Sequence, residues 1–128
     1  MFAPVQARRI LLVDDDDNLR RALRRILELD GHHVDAARDG SEGIDLALAR
    51  PPDVAFIDIR LPGIDGHEVA RRIREAFGSA MLLVALTAHG GEEDRRRSSA
   101  AGFDAHLVKP VGYEELTRIL GRAADGAG

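Results

Sequence analysis

Five residues with reactive or charge-stabilising side chains stand at the ends of short apolar runs. Asp14 and Asp15 follow Ile10–Val13, Asp58 follows Val54–Ile57, Thr87 follows Met81–Leu86, and Lys109 follows Ala105–Val108. If these runs are parallel strands of one sheet, Asp14, Asp15 and Asp58 come within a few ångströms of one another. Three carboxylates that close repel unless a cation neutralises them. Oxygen-only donors with few carboxylates suit Mg²⁺, which keeps several of its waters and accepts phosphate oxygens. A carboxylate can attack phosphorus to give an acyl phosphate, while a metal ion, an ammonium and a hydroxyl stabilise charge on the transferring oxygens. Asp58, Mg²⁺, Lys109 and Thr87 would supply those four parts. Each residue also has a plainer reading: Asp16 or Asp17 caps a helix, Thr87 ends a strand, Lys109 is a solvated charge. Four strand ends carrying this set together favour the chemistry.

The elements that must position these groups follow from periodicity. The runs Ile10–Val13, His33–Ala36, Val54–Ile57, Met81–Leu86 and Ala105–Val108 alternate with five helix-like segments, the pattern of parallel βαβ units. Leu19, Ala22, Leu23, Ile26 and Leu27 recur at helical spacing before Gly31 and predict a first helix over 17–29. Ile44, Ala47 and Leu48 mark a second helix, ending before Pro51-Pro52. Val69, Ile73, Ala76 and Phe77 mark a third, with Asp65 and Glu68 in capping-box spacing. The fourth, Glu92–Ala101, offers only Ala100 and Ala101 as apolar anchors, and so little burial that it is expected to move more easily than the others. Leu116, Ile119 and Leu120 mark the fifth, before a Gly/Ala-rich tail from Gly121 that is expected to fray. Strands apolar at consecutive positions are covered on both faces. Right-handed crossovers then gather all their carboxyl ends on one edge, where ligands bind in open sheets.

Composition bounds the function class. The chain has 128 residues, of which 45% are hydrophobic and 31% charged, and fits one domain with one core. A net charge of -4 gives no overall electrostatic reason for direct nucleic-acid or anionic-membrane binding. The arginines at 71, 72 and 74, and at 95 to 97, stand beside acidic residues and read as solvated helix faces. There is no cysteine, hence no disulfide framework or thiolate site. No apolar run approaches the roughly 18 residues of a membrane span, and Met1–Arg9 has no signal-peptide core, so membrane insertion is not expected and the cytoplasm is.

Four segments in this order, ILLVDDDDNLR, FIDIRLPGIDG, VALTA and HLVKP, resemble the receiver domain of two-component response regulators, the CheY-like family. The resemblance covers about residues 9–121, leaving 1–8 as an N-terminal extension and 122–128 as a flexible C-terminal tail. It implies a flavodoxin-like, doubly wound (βα)5 fold of class α/β, with a five-stranded parallel sheet of order 2-1-3-4-5 and helices on both faces. It makes Asp58 the phosphoacceptor, with Asp15, Asp58 and the backbone carbonyl of Arg60 on Mg²⁺ directly and Asp14 acting through a metal-bound water. Lys109 would pair with the phosphoryl group, Thr87 would hydrogen-bond to it, and the Lys109-Pro110 bond would be cis. The loop Leu61–Gly66 matches the family's loop after the phosphoacceptor strand, its glycines permitting a tight turn. The implied partners are a sensor histidine kinase or histidine phosphotransfer protein and a downstream effector. The read-out surface would be the face of the fourth helix, fifth strand and fifth helix, through which a homodimer could also form. A stand-alone regulator, the first domain of a larger one and the receiver of a hybrid kinase all fit, and the stretch from VALTA to DAHLVKPV looks most like the last.

The sequence also departs from that pattern. The family usually has Tyr or Phe where His106 stands, a ring that reports phosphorylation to the outer face. An imidazole is smaller and titrates near neutral pH, so the switch is either weaker, pH-sensitive, or simply tolerant of the substitution. Arg60 and His89 resemble the pair of positions flanking the phosphoryl group, where they would tune dephosphorylation. His32, His33 and His67 are scattered and read as surface residues.

Three other functions share parts of the pattern. Val13-Asp14-Asp15-Asp16 resembles the Asp-x-Asp strand end of haloacid-dehalogenase-like phosphatases, but the chain is short for them and Asp58–Gly66 would go unexplained. A flavodoxin-like FMN carrier would share the fold, yet four aspartates after the first strand repel a phosphate that lacks a metal. A pseudo-receiver that binds partners without phosphorylation would not need the complete acid, Thr and Lys set.

Overall fold

The computed structural model describes residues 7–126, so the expectations for residues 1–6 and 127–128 lie outside the described residues. Five strands, β1 (Arg9–Val13), β2 (His33–Ala37), β3 (Val54–Asp58), β4 (Leu82–Thr87) and β5 (Ala105–Val108), alternate with α1 (Asp17–Leu29), α2 (Gly40–Ala49), α3 (Gly66–Phe77), α4 (Glu92–Ala101) and α5 (Tyr113–Gly126). The strands form one parallel sheet in the order β2-β1-β3-β4-β5, as expected.

Alternating strand residues feed two cores. Leu11, Val13, Ala55, Ile57, Leu83 and Ala85 face α2 and α3, where Ala47, Val69, Ala70 and Ile73 close the layer. Ile10, Leu12, Val54, Phe56, Val84 and Leu86 face the other way, against Leu23 and Leu27 of α1 and Leu116, Ile119 and Leu120 of α5. Burial on both faces is why these strands read as unbroken apolar runs.

Three helix starts carry side-chain caps, those at Asp16 and Asp65 as expected. The Asp16 side chain accepts from the backbone N–H groups of Asn18 and Leu19 at 3.0 and 3.2 Å, Asp39 from Glu42 at 2.8 Å, and Asp65 from Glu68 at 3.0 Å. Helix α4 has Gly91 at its N-cap with no side-chain bond, and it buries only Ser98 and Ala101. It is the least anchored helix, for the compositional reason given above.

Three sequence expectations need correction. Helix α5 does not stop near Leu120: it runs past Gly121 to Gly126, through most of the stretch expected as a flexible tail. Arg122, Ala123 and Ala124 are good helix formers, and Gly121 costs about 1 kcal/mol rather than acting as a stop. Arg74 is not a solvated charge. Its guanidinium donates to the carbonyls of Gly102 and Gly78 at 2.9 Å and Met81 at 2.6 Å, and pairs with Asp104, tying α3 to the entrances of β4 and β5. His32 is not on the surface either. It is 5% exposed, and its Nδ1 accepts from the Arg8 backbone N–H at 3.0 Å. His67 is half-buried, its ring edge-on to Phe103, while His33 is exposed as expected.

Candidate functional site: an acidic cluster at the carboxyl edge of the sheet

The sheet places the reactive residues by continuing its hydrogen-bond ladder past the apolar runs. Asp14 N–H donates to the Ala37 carbonyl at 3.1 Å, Ile59 N–H to Leu86 at 3.1 Å, and Lys109 N–H to Thr87 at 2.8 Å. Asp14 and Asp58 therefore end adjacent strands, with Thr87 one strand further on and Lys109 one beyond that. Asp14 is fully buried, Asp58 is 6% exposed and Thr87 is 7% exposed, whereas Asp15 lies at the surface.

One local device orients three of these side chains. Oδ1 of Asp14 accepts from the N–H of Asp16 at 2.9 Å, Oδ1 of Asp58 from that of Arg60 at 3.0 Å, and Oγ1 of Thr87 from that of His89 at 3.0 Å. Each bond reaches two residues on, the Asx- or ST-turn geometry that short polar side chains adopt at strand ends. It holds one oxygen of each carboxylate and leaves Oδ2 facing the cluster. Lys109 Nζ lies 3.0 Å from Asp14 Oδ2 and 3.3 Å from Asp58 Oδ2. The Thr87 hydroxyl proton goes to the His89 carbonyl at 3.0 Å, so this hydroxyl must rotate before it can serve a group on Asp58.

Gly66, the first residue of α3, lets that helix start against the back of β3. A Cβ there would meet the Asp58 carbonyl oxygen at 2.3 Å and the Ile59 Cα at 2.6 Å, both backbone atoms. Gly63 turns the intervening loop with φ of 74°. The Lys109-Pro110 bond is cis, as the resemblance implies.

Electrostatically the site is strained in favour of a cation. Burial, and then the charge of Asp14, push the Asp58 carboxyl up from 3.8 to about 6, against the partial relief that Lys109 and the Arg60 N–H provide. Burial alone works against the Lys109 charge, but Asp14 and Asp58 outweigh it and hold the ammonium above its ordinary range. One ammonium against three carboxylates leaves the cluster negative.

Carboxylate oxygens of Asp14, Asp15 and Asp58 lie within 4.8 Å of one another, a spacing that could hold a metal ion. An all-oxygen donor set with surplus negative charge, open to solvent on the Asp15 side, fits a hard divalent cation that keeps part of its water shell.

The sequence pattern singled out Asp15, Arg60, Thr87 and His89 at the mouth of this site, but not His67, Asp94 or Arg97 beside them. A cavity of about 600 Å³ opens over Asp15, Arg60, Thr87 and His89 and is walled by His67 of α3 and Asp94 and Arg97 of α4. The expected tuning pair, Arg60 and His89, thus shares one opening with the poorly anchored helix. On the other side Arg20 of α1, which pairs with Asp17, donates from Nη1 to the Asp14 carbonyl at 2.8 Å. Its side chain is only 11% exposed. Its position six residues after Asp14, on the first turn of a capped helix, is the signal that could have identified it. His106 lies on β5 with both ring nitrogens buried and unpartnered among the described residues.

Comparison with known proteins agrees with this geometry. The family model for the response regulator receiver domain matches residues 10–121. The response regulator MprA of Mycolicibacterium vanbaalenii is 40% identical, the match covering 94% of this chain and 54% of that protein. MprA of Mycobacterium avium is also 40% identical, over 84% of this chain and 47% of that one. The chain spans about half the length of these curated relatives. Among solved structures, the Vibrio cholerae chemotaxis protein CheY4 superposes with a TM-score of 0.85 at 28% identity, covering 92% of this chain and 99% of that one. A response regulator from Chloroflexus aurantiacus gives 0.84 at 30% identity, over 93% and 99%. With sheet order, strand-end residues and family match in agreement, the chain belongs to the receiver domains of two-component response regulators.

Proposed function

We propose that the chain takes a phosphoryl group from a phosphohistidine, on a sensor histidine kinase or a histidine phosphotransfer protein, onto Asp58. The observation that carries this reading is the pairing of one ammonium with two buried carboxylates: Lys109 Nζ reaches both Asp14 and Asp58, and of the two only Asp58 keeps any exposure to solvent, 6% against 0%. Asp58 Oδ2 is the nucleophile, and Lys109 and the rotated Thr87 hydroxyl receive the charge on the transferred oxygens. Asp14, Asp15, Asp58 and the Arg60 carbonyl would hold Mg²⁺, which when bound supplies charge neutralisation at the phosphoryl oxygens. Arg60 and His89 at the mouth control how water reaches the acyl phosphate. The outer face of α4, β5 and α5 carries the read-out to an effector or to a second copy, with His106 in place of the usual aromatic ring. No turnover beyond phosphorylation and autodephosphorylation of the domain is assigned, which sets it apart from a haloacid-dehalogenase-like phosphatase.

No helix among the described residues is long and apolar enough to cross a membrane. The test is beryllofluoride with Mg²⁺, a phosphoryl mimic. Resonances of Thr87, His106 and α4 should shift in the wild type and stay in place in Asp58→Asn. Equal shifts in both proteins would remove Asp58 from its assigned role.

A further inference from the structure

Arg20 reaches back from α1 to the acidic turn that precedes its own helix. Its guanidinium donates from Nη1 to the backbone carbonyl of Asp14 at 2.8 Å and pairs through Nη2 with the Asp17 carboxylate. The side chain is only 11% exposed, whereas Arg21, Arg24 and Arg25 of the same helix are exposed residues. The metal and phosphoryl chemistry assigned above makes no use of this buried cation.

The turn gives each aspartate of the run Asp14–Asp17 a separate place. Asp14 is held on every side: its N–H donates to the Ala37 carbonyl at 3.1 Å, its carbonyl accepts from Arg20, its Oδ1 accepts from the Asp16 N–H at 2.9 Å, and its Oδ2 lies 3.0 Å from Lys109 Nζ. Asp16 uses its side chain to cap α1, and Arg20 holds Asp17. Only the Asp15 side chain, exposed at the surface, has no hydrogen bond or ion pair among the described residues. Its carboxylate nevertheless lies within 4.8 Å of those of Asp14 and Asp58. The backbone must therefore set its place. The Asp14 carbonyl shares one rigid peptide plane with the nitrogen and Cα of Asp15, so a donor that fixes the carbonyl fixes where the Asp15 side chain begins. The same guanidinium fixes the far end of the turn through Asp17.

We propose that Arg20 is a positioning residue of the metal site, clamping the Asp14–Asp17 turn so that Asp15, rather than a neighbouring aspartate, presents its carboxylate to a divalent cation. The inference rests on the reading above in taking Mg²⁺ as that cation. A planar guanidinium offers its two donors at a fixed spacing, which suits it to bridge a carbonyl and a carboxylate; an ammonium is a point charge and does not. Partners that orient metal ligands from outside the ligand set change metal affinity by about 10–100-fold. A pure charge effect has the opposite sign. Arg20 and Asp17 are together neutral, so removing the arginine leaves one more negative charge beside the cluster and would tighten cation binding at low salt.

The experiment is a Mg²⁺ titration of the unphosphorylated chain, followed by the amide shifts of Asp15 and Arg60, on the wild type, Arg20→Ala, Arg20→Lys and Arg21→Ala. Urea unfolding first establishes that each is folded. Arg20→Ala should weaken Mg²⁺ binding about tenfold, and by the same ratio at about 0.15 M and about 1 M salt, between which the Debye length falls from about 8 to about 3 Å. Arg20→Lys keeps the charge without the fork and should stay at least about threefold weaker than wild type; it carries the comparison if Arg20→Ala does not fold. Arg21→Ala removes the same charge from an exposed neighbour and should bind within about twofold of wild type. Unchanged or tighter binding in Arg20→Ala, full recovery in Arg20→Lys, or an equal loss in Arg21→Ala would each overturn the proposal. So would a lowered urea midpoint with unchanged Mg²⁺ affinity, which leaves the arginine a structural role alone. A wild type that binds no Mg²⁺ would overturn the metal reading along with it, whereas phosphoryl transfer to Asp58 stands or falls separately with Asp58→Asn.

Discussion

Replacing Asp58 with Asn should make the metal-free domain more stable while removing its function. Asp58 is 6% exposed, and its carboxyl is pushed up from 3.8 to about 6, first by burial and then by Asp14. Between these two values the folded state holds a proton that the unfolded state has released, so stability falls as pH rises through that window. A displacement of about two units corresponds to about 3 kcal/mol at pH 8, the ceiling for what the ionised side chain costs the fold. Asn keeps the bond from the Arg60 N–H but carries no charge towards Asp14, and it loses the attraction of Lys109. A net gain of about 1–3 kcal/mol is expected. Urea unfolding at pH 8 without divalent ions would show this as a midpoint raised by about 1 M, given slopes of about 1–3 kcal/mol per M for small domains. The advantage should shrink as pH falls and vanish below about pH 3, where the wild-type carboxyl is protonated in both states. Adding Mg²⁺ should stabilise the wild type by mass action far more than the variant and so close the gap from the other side. An Asn variant no more stable than wild type at pH 8, or a difference that persists undiminished below about pH 3, would refute the electrostatic description of the site.

Five further substitutions test the scaffold and the mouth of the site. Gly66→Ala places a Cβ on backbone atoms of Asp58 and Ile59 that cannot swing aside. It should cost about 2–4 kcal/mol in urea unfolding and weaken Mg²⁺ binding with it. Arg74→Met leaves the Gly102, Gly78 and Met81 carbonyls without their donor and should cost about 2–4 kcal/mol, whereas Arg71→Ala, which breaks only a surface pair with Glu68, should cost under about 1. Arg60→Ala and His89→Ala should each change the decay rate of the phosphorylated protein, followed by intact-mass measurement, without preventing its formation. Rates unchanged in both variants would take these residues out of the water path.

Much of the fold was legible because burial on both faces of a parallel sheet leaves an unmistakable trace. Ile10–Val13 and Val54–Ile57 are apolar at every position, and the residue that follows each is the one the ladder carries to the edge. Asp14 and Asp58 could be read for the same reason: a short side chain at the end of a strand has little freedom in where it points. Long side chains on helices gave no such signal. Arg74 looks like Arg71 and Arg72, and its role is decided by acceptors at Gly102 and Asp104, far along the chain. Arg20 is one of four arginines on α1, and only the approach of α1 to the Asp14 carbonyl separates it from Arg21, Arg24 and Arg25. His32 is buried because a backbone N–H, that of Arg8, needs its ring nitrogen, and no periodicity records that demand.

The claim that matters most is the identity of the residue that receives the phosphoryl group. The chain should be incubated with Mg²⁺ and acetyl phosphate, or with a phosphorylated histidine kinase, and then reduced with borohydride, which converts an acyl phosphate to the alcohol. Peptide mass spectrometry should place homoserine at position 58 in the wild type and find none in Asp58→Asn. Homoserine at position 14 or 16 instead would contradict the account and point to the phosphatase-like use of the first strand's aspartates.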